Sequence, residues 1–175
     1  MRICSLKVAK IGELVDKLTN DKFTEIKNLN EIKMNFPIFD IIAKKEGEIY
    51  IFSAKARNKF GANGKLNDYY HIMYRNMSSK LSKAIKYLEE ENYDTKKMHY
   101  CFLVCPIEEN KEVKYYYGEL EDIDNKNTVE NIINNRIKMI KVKMTEDKLK
   151  EYKVFGSYSW KEVNNKINEK NDNKN

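Results

Sequence analysis

Apolar residues in this chain recur with two different periods, and the change between periods marks its elements. Val8, Ile11, Leu14, Val15 and Leu18 fall on one side of a helical wheel. They predict an amphipathic helix over about residues 6–19, with Glu13 nearly opposite the apolar stripe. A short apolar run over residues 23–26 predicts a first strand, and the polar, Asn-rich residues 28–35 a loop. From there the period becomes two. Residues 38–43 and 48–55 read as a strand pair with Gly47 in the turn between them. Pro37 opens the first of the two, where a missing backbone N–H is tolerated.

A two-residue loop at Glu46 and Gly47 sets Ile42 opposite Ile51, Asp40 opposite Ser53 and Ile38 opposite Lys55. Side chains alternate along a strand. Ile38, Asp40, Ile42, Ile51, Ser53 and Lys55 therefore share one face, and Phe39, Ile41, Ala43, Tyr50, Phe52 and Ala54 the other. Both faces are largely apolar, which predicts a hairpin inside a sheet covered on both sides. A carboxylate and an ammonium buried in such a face each need a partner or a cation.

Beyond the hairpin, NKFGANGKLN is a glycine-punctuated basic loop. Tyr69, Ile72, Met73, Met77, Leu81, Ala84, Ile85 and Leu88 predict a long helix from about Leu66 or Asn67 to Glu91. Residues 98–106 are an almost unbroken apolar run, the mark of a buried central strand. Residues 113–120 predict a strand exposed on one face, 127–135 a short helix, and 136–144 a basic strand. Thr145 caps a last short helix, and FGSYSW closes the ordered part. The expected organisation is a single domain over residues 1–160 and a polar, disordered tail over 161–175. The element order makes this an α/β protein, a mixed central sheet flanked by helices with additional C-terminal strands and helices.

Composition narrows the partners. Charged residues make up 34% of the chain and apolar residues 41%, and no 18-residue apolar run exists, so a membrane-spanning helix is excluded. The start, MRICSLKVAK, carries no apolar core of the kind a secretory leader needs, and the expected location is intracellular. The net charge of +6 favours a polyanion, nucleic acid first, although an AT-rich genome would also write many lysines and asparagines. Three cysteines without an export signal predict reduced thiols. Cys101 and Cys105, four residues apart on a strand, lie about 13 Å apart, too far for a disulfide.

Pro37, Asp40, Ser53, Lys55, Arg57 and Lys59, in this element order, resemble the PD-(D/E)xK nuclease superfamily over roughly residues 8–107. Pro37 and Asp40 stand for its proline and first acid, with two residues between them instead of none, and Lys55 for its lysine. Ser53 stands where the superfamily carries a second acid. Some restriction enzymes of this kind read Ser-x-Lys and take the acid from the next helix about a dozen residues on; twelve residues separate Lys55 from Asp68. Glu13 corresponds to a glutamate that some resolvases carry on their first helix.

The resemblance implies a restriction endonuclease-like αβββαβ core and Mg²⁺- (or Mn²⁺-) dependent hydrolysis of phosphodiester bonds, in DNA rather than RNA. Asp40 with Asp68 or Glu13, and the Ala54 carbonyl, would hold the ion. Lys55 would orient the attacking water or stabilise the developing charge. Ser53 would hydrogen-bond a metal-bound water, and Arg57, Lys59, Lys65 and Arg75 would hold the phosphate backbone. It also implies a homodimer, because two strands must be cut. Ser53 raises the alternative, a catalytically inactive module of the same fold that binds nucleic acid or serves in protein assembly.

Overall fold

The computed structural model describes residues 22–74, 77–137, 139–162 and 165. The helix expected over residues 6–19, with Glu13, and most of the expected tail lie outside the described residues, as does Arg75. In chain order the strands are β1 (Thr24–Asn28), β2 (Ile41–Lys45), β3 (Glu48–Asn58), β4 (Tyr69–Tyr74), β5 (Met98–Ile107), β6 (Val113–Glu119), β7 (Met139–Lys143) and β8 (Lys153–Tyr158). Helix α1 (Met77–Glu90) joins β4 to β5; α2 (Leu120–Ile123), α3 (Val129–Ile133) and α4 (Glu146–Glu151) are short.

Six strands form one mixed sheet in the order β1-β2-β3-β5-β6-β8. Only β3 and β5 run parallel. A parallel neighbour requires a long crossover, and β4 with α1 supplies it. The β2–β3 register is the predicted one, Ile42 opposite Ile51 and Ala43 opposite Tyr50. Its turn has positive φ at both loop residues, 52° at Glu46 and 82° at Gly47, the backbone twist a two-residue hairpin needs. The apolar run of β5 is a buried central strand, with residues 101–105 all buried. Gly118 lets β6 lie close on β5: a Cβ there would sit 2.8 Å from the Phe102 ring.

The sheet curls. Phe23, just before the edge strand β1, meets Tyr117 on β6 at 5.3 Å between ring centroids and Phe155 on the opposite edge strand β8 at 4.8 Å. Inside the curl lies an aromatic core with Phe52, Ala54, Cys101, Leu103 and Cys105. Both cysteines are free and buried, as expected, and burial pushes both thiols up. The other face of the sheet, with Ile42, Ile51, Phe102 and Val104, packs against α1 and a separate two-stranded ribbon of β4 and β7. Helix α1 presents Met77, Leu81, Ala84 and Leu88 at helical spacing. Burying a leucine of this kind contributes about 1.5–3 kcal/mol.

Two expectations need correction. The long helix does not start at Leu66 or Asn67: Tyr69–Tyr74 is β4, paired with β7, and α1 starts at Met77. A bulge between His71 and Met73 buries Ile72 and Met73 side by side, which mimics helical spacing in the sequence. Pro37 does not open a strand, because β2 begins only at Ile41. The Phe39 N–H donates to the Pro37 carbonyl at 2.7 Å with Ile38 at φ 66°, a γ-turn of the uncommon positive-φ kind. That turn breaks the alternation, so Phe39 packs with Ile42 instead of Ile41.

Candidate functional site

Asp40 sits between the γ-turn and β2, on the side of the sheet's carboxyl end where β3 and β5 run on in parallel beyond the end of β2. Ligands of α/β proteins gather at such carboxyl ends. The backbone of Asp40 is fixed twice: its N–H donates to the Phe52 carbonyl at 2.8 Å, and its carbonyl accepts from Leu29 N–H at 2.9 Å. Its carboxylate Oδ2 accepts the Ala54 N–H at 2.8 Å. Because β2 has ended, that N–H has no strand partner, and the carboxylate replaces one. Burial pushes the Asp40 carboxyl up to about 6, against the opposing pull of the Ala54 N–H and the Lys55 charge.

Lys55 is half-buried on β3 and acts on Asp40 through its charge alone; the two form no hydrogen bond or ion pair. Ser53 is buried and does not turn toward the carboxylate. Its hydroxyl donates to the Ile38 carbonyl at 3.0 Å and so holds the γ-turn. A positive φ at a β-branched residue costs on the order of 1–3 kcal/mol and persists only where neighbours enforce it. Ser53 is one of those neighbours. The structure thus brings Asp40, Ser53 and Lys55 to one end of the hairpin, but gives the serine a positioning role.

The remaining sequence candidates spread out. Asp68 is exposed before β4, its carbonyl accepting the Met144 N–H at 2.7 Å, and nothing links its carboxylate to Asp40. The expected helical platform for it is absent, since α1 starts at Met77. Lys59 pairs with Glu108 at 3.2 Å and Glu146 at 3.8 Å, so its charge is already answered. Arg57 and Lys65 are exposed.

Sequence reasoning missed a second polar cluster at the amino end of the same parallel strand pair. His99 places Nδ1 2.8 Å from Glu119 and Nε2 2.9 Å from Glu48, while its ring stacks on Tyr50 at 4.3 Å. These residues lie far apart in the chain and meet through strand register, with Tyr50 opposite His99 and Cys101 opposite Glu119. A histidine at the start of an apolar central strand was the only local signal. Glu119 also lines a cleft of about 360 Å³ with Asp122, Glu151, Tyr152 and Lys153.

No family model, no curated protein and no solved structure matches the chain. Chemistry must be judged from the residues alone. At Asp40 the Oδ1 oxygen accepts no hydrogen bond from the described residues, and the Ala54 carbonyl faces the same side as the Phe52 carbonyl by the alternation of a strand. These two oxygens suit a hard divalent cation that keeps most of its shell as water. Among the described residues no three His, Cys, Asp or Glu side chains converge on a metal position. The described donor set is therefore one carboxylate and one carbonyl.

Proposed function

We propose that the chain is a divalent-metal-dependent deoxyribonuclease-like protein with a restriction endonuclease-like core, its centre built on Asp40 and Lys55. The observation that carries this reading is Asp40 itself. It is a half-buried carboxylate that, among the described residues, has a single hydrogen-bond donor and no ion pair, and burial pushes its carboxyl up, a state that is costly unless a cation completes it. The meander β1-β2-β3 followed by a helical crossover to a parallel β5 supports the same reading.

Bound Mg²⁺ would supply a water made more acidic and a positive charge on the scissile phosphate. Asp40 and the Ala54 carbonyl would hold it. Lys55 would donate to the attacking water or to a phosphate oxygen as negative charge develops there. Ser53 would keep the γ-turn in place, and with it the aim of the carboxylate. Arg57 and Lys65 would neutralise backbone phosphates without reading sequence.

Supercoiled plasmid incubated with Mg²⁺ or Mn²⁺ tests the proposal. Wild type nicks it, and Asp40→Ala and Lys55→Ala do not. Equal inertness of all three on duplex, single-stranded and branched DNA would remove the enzyme reading. A second reading has its own observation: Ser53 replaces an acid and donates to the Ile38 carbonyl. In that reading the fold is a nucleic-acid-binding or assembly module. DNA would then be bound but not cleaved in Mg²⁺, with binding that persists in EDTA, falls steeply with salt and ignores Asp40→Ala.

A further inference from the structure

The β4–β7 ribbon has one covered face and one open one. Tyr70, Ile72, Ile140 and Val142 are buried in the core beneath it. On the other face the register sets Tyr69 opposite Lys143 and His71 opposite Lys141, with Met139 at the far end. Tyr69 and Met139 are each 50% exposed, and Lys141 is exposed. A solvated ribbon edge is normally protected by charge and has no need of a half-exposed ring. An aromatic ring beside a lysine is what an unpaired nucleotide uses, the base on the ring and the phosphate on the ammonium.

The ribbon also begins beside the carboxyl end of β3. The Tyr70 hydroxyl donates to the Arg57 carbonyl at 3.1 Å, and the Asn67 N–H to the Lys59 carbonyl at 2.9 Å. These contacts, one of them from the covered face, place the Tyr69 end of the ribbon beside the residues that follow Lys55 on β3. Phe60, 42% exposed, lies in the loop between. Two carboxylates flank this face. Asp68 is exposed at the Tyr69 end, and the Asp147 carboxyl is lowered chiefly by its hydrogen bond with Thr145 and least by the charge of Lys143. They reduce the positive charge there and assign the phosphate contact to Lys141.

We propose that the open face of this ribbon binds a single-stranded segment of DNA, with a base on Tyr69 and a phosphate on Lys141. The inference rests on the nuclease reading of Asp40 and narrows its substrate to DNA with an unpaired segment, such as a flap, fork or overhang.

Fluorescence anisotropy of the full chain in EDTA tests it, with an oligo-dT of about 20 nucleotides against a blunt duplex of the same length. The oligo-dT binds more tightly than the duplex. Tyr69→Ala weakens that binding by about 5- to 100-fold, whereas Tyr69→Phe retains it. Lys141→Ala lowers the slope of log K against log salt by about 0.7. Circular dichroism confirms that these surface variants stay folded. Unchanged oligo-dT binding by Tyr69→Ala and Lys141→Ala, or equal binding of the duplex, overturns the ribbon proposal. Asp40→Ala separates the two readings. If it stops cleavage while the ribbon variants bind normally, only the ribbon proposal fails. If ribbon-dependent binding is found without any cleavage, only the nuclease reading fails. If wild type binds neither probe, the ribbon proposal fails, and plasmid nicking alone decides the nuclease reading.

Discussion

The parallel pair β3–β5 carries a polar cluster at each end, and the two are built on opposite terms. At the amino end, His99 faces a carboxylate at each ring nitrogen and a tyrosine ring across its face. Each polar side chain there has a partner. At the carboxyl end, Asp40 has, among the described residues, one N–H and a lysine it does not touch. A satisfied network stabilises a fold; a half-buried carboxylate with few partners costs stability, which is why we propose the carboxyl end as the site. The strained γ-turn beside Asp40 points the same way, since backbone outliers of this kind collect where function needs them.

The largest difference should appear in catalysis. Asp40→Ala should lower metal-dependent nicking at least about 1,000-fold, and Lys55→Ala about 100- to 1,000-fold. His99→Ala should leave the rate within about threefold, because the amino-end cluster touches no reacting group. Initial rates on supercoiled plasmid measure all three.

Stability should invert that ranking. The folded Asp40 carboxyl, at about 6, lies above its ordinary 3.8, so the fold holds a proton that the unfolded chain releases. Its contribution is complete below about pH 4 and is lost as pH rises through about 6. In metal-free buffer at pH 7, Asp40→Asn should therefore be more stable than wild type by about 2 kcal/mol, and should flatten the fall between pH 4 and 6. Urea unfolding across that range reads both effects.

His99→Ala should move the other way. It removes two charge-assisted contacts whose carboxylates are 60% and 40% exposed, so screening reduces the loss to about 1–2 kcal/mol. Ser53→Ala should cost about 1 kcal/mol through its lost bond to the Ile38 carbonyl. It should also lower the nicking rate with little change in DNA binding, which separates a positioning residue from a ligand.

The contrast also explains what the sequence could reveal. The hairpin was legible because a two-residue turn fixes register, and register alone puts Asp40 beside β3. The γ-turn was not legible, because Pro37 and Ile38 suit a strand start equally well and only the fold forces φ at Ile38 to 66°. Asp68 looked like a helix-borne acid because Tyr69, Ile72 and Met73 fall at helical spacing. Pairing with β7, whose strand lies some seventy residues later, overrode that local pattern. The His99 cluster had only the histidine itself as a local signal, since its three polar side chains come from three strands. Long-range pairing is the common cause of every misreading.

We propose that Asp40 is a half-buried carboxylate held ready for a cation. Carbonyl-carbon NMR of the Asp40 side chain, titrated with pH in metal-free buffer and again with Mg²⁺, tests it most directly. The account predicts a midpoint near 6 without metal, displaced well downward when Mg²⁺ is present. A midpoint in the ordinary carboxylate range, indifferent to Mg²⁺, would contradict it.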